Sequence, residues 1–98
     1  MTTTGILRWE TPRHCTTLDD LIQAGLLLVG TILTCRRNGR VARAVVVFDG
    51  LYVEGWGLYR HPSPAAKDAT GAGSSNGWAD WRLPDNRPLD DLREQYEH

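Results

Sequence analysis

Thr31-Ile-Leu-Thr-Cys-Arg-Arg-Asn-Gly-Arg-Val-Ala-Arg-Ala-Val-Val-Val-Phe48 sets the fold. Two runs rich in β-formers, residues 31–37 and 40–48, flank Asn38-Gly39. An Asn-Gly pair between such runs marks a two-residue hairpin, because both turn positions need positive φ. A two-residue loop also fixes register: Cys35 faces Ala42 and Leu33 faces Ala44, with Val46 and Phe48 further along the same side. That side is apolar and is the expected core face. The other side carries Thr34, Arg36 and Arg43 mixed with Ile32, Val45 and Val47.

Working outward, Asp49-Gly50 reads as a second tight turn and Glu54-Gly55 as a third. Leu51 to Val53 and Trp56 to Tyr59 then continue a meander. Upstream, Thr17 is a candidate N-cap with Asp19 and Asp20 in the first turn, where carboxylates suit the positive end of a helix. Leu18, Leu21 and Ile22 share one face of that short helix, and Gly25 ends it with Leu26 placed for the accompanying apolar contact. Residues 1–16 read as an N-terminal extension, with Ile6, Leu7 and Trp9 able to form an edge strand.

Downstream, Ser63 is the expected N-cap of a second helix, Pro64 its first residue and Gly71 its left-handed stop. Gly71 to Gly77 superficially matches a dinucleotide-binding glycine loop, but it follows a helix instead of joining a strand to one. Asn76-Gly77 reads as a turn that delivers Trp78 and Trp81. Residues 78–83 suit a strand or extended segment. Residues 88–96 suit a terminal helix with Leu89, Leu92 and Tyr96 on one stripe. The expected class is α+β: a single domain built on a small antiparallel meander of three to five strands, packed with two or three short helices.

The 98 residues allow one small core. The formal net charge of −1 conceals a dipolar distribution. Arg36, Arg37, Arg40 and Arg43 surround the hairpin tip with no acid between them, whereas residues 85–98 hold five acids against two arginines. A basic hairpin tip can track a phosphate backbone, the main source of affinity for DNA; the bland alternative is a solvated turn protected from edge pairing. The Ser63 end of the second helix is a further anion candidate, and Lys67 lies along that helix. Asn76 and Trp78 are the candidates for base contacts. An indole exposed beside the basic tip would stack on an unpaired base, and an aromatic pocket would suit a methylated one. In a small domain, however, Trp78 and Trp81 are expected mainly to pack the core.

No catalytic set emerges. His14 and Cys15 form the one Cys/His neighbourhood, and adjacent side chains on an extended chain point apart. Cys15 and Cys35 have no zinc-ligand spacing. The sequence therefore calls for no enzyme, metal or cofactor. It has neither a signal-peptide pattern nor an apolar run of the length a bilayer needs, so a cytoplasmic protein without a membrane partner is expected.

Ser63-Pro64-Ala65-Ala66, Thr70-Gly71, Asn76-Gly77-Trp78 and Trp81 together resemble the RAMA domain, the module associated with restriction enzymes and adenine methylases. The resemblance extends to Leu18–Ala24 with Gly25, Leu26 and Gly30, to Asp49-Gly50 and to Leu92-Arg93. It covers about residues 17–94, so residues 17–98 are read as the RAMA-like domain. The family often has Ser where this chain has His61, and Ala where it has Pro64. The resemblance implies a non-catalytic module that binds double-stranded DNA, with a suspected preference for methylated or otherwise modified bases. Its setting would be restriction–modification or phage–host conflict. The alternative is a protein-interaction module joining an effector to its partners.

Overall fold

The computed structural model describes residues 16–98. Helix α1 (Leu18–Gln23) leads into a hairpin of β1 (Ile32–Arg37) and β2 (Arg40–Val47). Strands β3 (Gly50–Val53) and β4 (Gly57–Tyr59) continue the meander. Then come α2 (Pro62–Thr70), α3 (Gly77–Asp80), β5 (Trp81–Arg82) and α4 (Asp90–Glu97). The five strands form one antiparallel sheet in the order β4-β3-β2-β1-β5. The α+β class holds. The helix beyond the two or three expected is α3, a single turn where a turn and an extended segment were anticipated.

The hairpin pairs as its turn dictates, Cys35 with Ala42 and Leu33 with Ala44. Asn38 and Gly39 have φ of 54° and 73°, the positive values that turn requires. Phe48 departs from the expected pattern. β2 ends at Val47, and Phe48 stands 73% exposed in the turn rather than on the core face.

One face of the sheet carries the core. Leu33, Cys35, Ala42, Ala44, Val46, Leu51, Val53 and Trp81 are all buried there. Leu18 and Leu21 of α1, Ala65 and Ala66 of α2, and Leu89 and Leu92 join the same cluster. The expected third member of the last stripe, Tyr96, is 43% exposed because α4 leaves the core in its final turn. Thr17 caps α1 through a capping box: its hydroxyl accepts from the Asp20 N–H at 3.2 Å, and the Asp20 carboxylate accepts from the Thr17 N–H at 3.0 Å.

The second helix starts differently from expectation. Its N-cap is His61, which makes no side-chain cap, and Pro62 is the first helical residue. Ser63 therefore lies inside the helix. Its hydroxyl accepts from the Gly77 N–H at 2.9 Å, tying α2 to α3. The Trp81 indole is fully buried and donates from Nε1 to the Pro62 carbonyl at 2.9 Å. Gly77 is pressed onto the same point, where a Cβ would overlap the Pro62 carbonyl and the Ser63 nitrogen.

That close approach can be tested. Gly77→Ala is expected to destabilise the domain by about 3 kcal/mol, the upper end for overpacking, because backbone and not a flexible side chain blocks the methyl. Gly73→Ala, which meets only open space, is expected to change stability by no more than about 0.5 kcal/mol. Urea midpoints of the two variants check both; equal midpoints would show that the packing of α3 on α2 is loose.

Candidate nucleic-acid interface

The hairpin tip is not one patch. Strand alternation sends its four arginines to opposite sides of the sheet. Arg37 shares parity with Leu33 and Cys35 and lies on the helix side, where it forms an ion pair with Asp80 at 2.8 Å. Asp80 also accepts from the Ser75 hydroxyl. Arg40 shares parity with Ala42, and its guanidinium reaches Gly71 at the carbonyl end of α2. Lys67 is exposed in the last turn of that helix. Cations there complement the helix dipole, which gives Arg40 and Lys67 a structural role.

Three other sequence candidates are also used internally. The Ser63 end of α2 is a poor anion site. Pro62 and Pro64 have no N–H to offer, and Gly77 covers the Ser63 backbone. Asn76 is the N-cap of α3, its side-chain oxygen accepting from the Trp78 N–H at 3.2 Å. Trp78 is half-buried against the core, and the Arg93 guanidinium sits 4.8 Å from its ring centroid. That cation–π contact occupies a ring face a base would need. Ser63, Asn76 and Trp78 are thus parts of the framework. The edge-strand candidates Ile6, Leu7 and Trp9, and the pair His14 and Cys15, lie outside the described residues.

Arg36 and Arg43 point the other way, onto the sheet face opposite the core. The pairing register sorts this open face into ranks that run across the strands. Ile32 pairs with Val45, Val45 with Tyr52, and Tyr52 with Leu58, giving one apolar rank. Ile32, Tyr52 and Leu58 are 40%, 52% and 50% exposed. The next rank is polar: Arg43 pairs with Thr34, and Thr34 with Arg82 of β5. Glu54 extends it past Arg43, its N–H donating to the Arg43 carbonyl at 2.9 Å. Arg36, opposite Val41, begins the third rank.

Two concavities adjoin this face, the second at its β5 edge where α3 also lines it. A cleft of about 220 Å³ is bounded by Ile32, Arg43, Val45, Tyr52 and Glu54. A larger polar one, about 580 Å³, is bounded by Thr34, Arg36, Asp80, Arg82 and Asn86. Among the described residues, Arg36, Arg43 and Arg82 form no ion pair, whereas Arg37, Arg87 and Arg93 each do. Arg82 donates to the Asn86 carbonyl at 3.1 Å, which steadies it without neutralising it.

Residues 3–98 match the model of the family described as RAMA, Restriction Enzyme Adenine Methylase Associated. The chain belongs to the RAMA family. Its description links this domain to restriction enzymes and adenine methylases. No curated protein matches the chain. The residues that carried the resemblance have physical reasons in this RAMA domain. Gly77 and Trp81 close onto Pro62, Ser63 bonds Gly77, and Gly71 ends α2 with φ 73°. All of them build the frame.

Arg82, Thr34, Tyr52 and Glu54 were absent from the sequence-based set. A strand at 81–82 would have put Arg82 on the face opposite Trp81 by alternation alone. What sequence could not supply is that β5 crosses to pair with β1, setting Arg82 beside Thr34.

Cys35, under the Arg37–Asp80 pair, is a free buried thiol. Burial first, and the nearby Asp80 carboxylate second, push its pKa up from 9.0 to about 11, with Arg37 opposing. The folded state thus favours the neutral thiol. Its contribution to stability is complete below pH 9 and is lost as pH rises through 11. Urea midpoints are expected to fall more steeply over that range in the native protein than in Cys35→Ala. Parallel curves would show that the thiol is not held neutral by the fold.

Proposed function

We propose that this RAMA domain is a cytoplasmic, non-catalytic module that binds double-stranded DNA and reads methylated or otherwise modified bases in restriction–modification or phage–host conflict. The observation that carries the reading is the open sheet face with Arg36, Arg43 and Arg82 projecting together, none of them in an ion pair among the described residues. Guanidinium groups suit phosphate because their planar fork makes paired hydrogen bonds. The total charge near zero does not oppose this, since affinity follows the local field around the patch.

A second reading, a protein-interaction module, is favoured by the exposure of Leu28, Val29 and Phe48, at 64%, 55% and 73%. Salt separates the two, because phosphate binding releases counterions and apolar docking does not.

Titration of the domain with unmodified and methylated duplexes at two salt concentrations tests the proposal. Replacing Arg36, Arg43 or Arg82 by Ala is expected to lower the slope of log affinity against log salt by about one for each phosphate no longer neutralised. Arg40→Ala is expected to leave that slope unchanged. No binding to any duplex at low salt would overturn DNA binding. Equal binding to methylated and unmodified duplexes would leave DNA binding and remove modification reading.

A further inference from the structure

We propose that the open sheet face takes a single base turned out of the duplex, seated in the cleft formed by Ile32, Val45 and Tyr52, while Thr34, Arg36 and Arg82 hold phosphate beside it. The inference rests on the DNA-binding reading and says which part of the nucleic acid meets which part of the domain.

The two concavities differ in chemistry in the way the two ends of a nucleotide do. The smaller is walled by Ile32, Val45 and Tyr52, with Arg43 and Glu54 at its rim. Its volume of about 220 Å³ is under the roughly 300 Å³ from which drug-sized sites begin, which suits one planar ring system. The exposed Tyr52 ring offers a stacking surface. The larger concavity contains Thr34, Arg36, Arg82 and Asn86, a hydroxyl, two cations and an amide. Asp80 also borders it, but that carboxylate is already paired with Arg37. Arg43 lines the smaller concavity and pairs with Thr34, which lines the larger, so the two are adjacent. Neighbouring side chains on one face of a strand are about 7 Å apart, within the reach of one nucleotide.

Glu54 gives the smaller cleft a preference. It stands next to Arg43 in the polar rank yet makes no ion pair among the described residues. A carboxylate there can accept from an exocyclic amine, as Glu and Asp do from cytosine N4. Thymine has no such amine. An adenine or cytosine methylated once on that nitrogen keeps one N–H for Glu54 and gains a methyl that Ile32 or Val45 can cover. A base still stacked in a duplex cannot reach such a cleft. Turning it out costs a few kcal/mol, least where it is unpaired. Charge complementarity favours nucleic acid over an apolar peptide as the occupant: among the described residues, the polar rank and Arg36 contribute three cations outside any ion pair against the one such carboxylate of Glu54.

The test uses the whole chain and fluorescence-labelled duplexes carrying one central adenine or N6-methyladenine, set opposite either thymine or an abasic nucleotide. Binding is expected to be tighter by about tenfold when the partner is abasic, since the pairing energy no longer opposes extrusion. Tyr52→Ala is expected to weaken binding to the methylated duplex by roughly five- to a hundredfold, the range for loss of one base stack, and Tyr52→Phe to preserve it. Glu54→Ala is expected to weaken binding to the adenine and N6-methyladenine duplexes alike, since both bases keep an exocyclic N–H for the carboxylate. Both residues are exposed, so neither change threatens folding. If Tyr52→Ala and Glu54→Ala bind every duplex as the native protein does, while Arg43→Ala and Arg82→Ala bind weakly, base extrusion is overturned and DNA binding stands. If the native protein binds no duplex at low salt, the DNA-binding reading fails instead.

Discussion

The start of α2 is the point on which this small domain depends. The Pro62 carbonyl accepts from the buried Trp81 indole, Gly77 packs on the same peptide without a side chain, and the Gly77 N–H donates to Ser63. One peptide therefore joins α2, α3 and β5. An indole N–H buried without a partner would cost about 1–3 kcal/mol, so the hydrogen bond and the close approach support each other. The consequence reaches the sheet. Trp81 is held at the position from which its backbone pairs with Cys35, and β5 becomes the fifth strand.

From that placement the open face follows. Strand alternation buries Trp81 and turns Arg82 outward beside Thr34, so the lock on the core side sets the third arginine on the exposed side. The core-side arginines are employed in holding the fold. Arg37 pairs with Asp80, and Arg40 reaches the carbonyl end of α2. The side with helices is stabilised by polar contacts that use up their charges. Among the described residues, the side without helices keeps its charges out of ion pairs, next to a rank of Leu58, Tyr52, Val45 and Ile32 that no described element covers. A sheet with one face open to solvent is ordinary for antiparallel strands. Exposed apolar residues alternating with cations that form no ion pair among the described residues are less so.

Local rules were legible where they act within a few residues. Asn38-Gly39 set the hairpin register, Thr17 with Asp20 marked the start of α1, and Gly71 ended α2. The N-cap of α2 was misplaced by two residues because Ser63 and Pro64 satisfy the local preferences for a helix start. A distant partner, Gly77, takes up the serine hydroxyl instead. The candidate site was legible in part. Arg36 and Arg43 were assigned to the face opposite the core, and that is where they lie. Ser63, Asn76 and Trp78 drew notice as polar or aromatic residues in an unusual run, yet each is consumed by a neighbour, and Arg93 covers Trp78 from a different helix.

The sequence by itself determined the hairpin, its faces, the class of fold and the family, because turn geometry, period-two alternation and residue spacing are properties of short segments. Tertiary structure alone decided which of the described arginines enter ion pairs. Ion pairing and helix-end contacts join residues far apart in the chain, such as Arg37 with Asp80 and Arg40 with Gly71. It also decided that Arg82 stands in line with Arg43 through Thr34. Strand order is set by what the buried Trp81 must reach, and no local pattern in the chain encodes that.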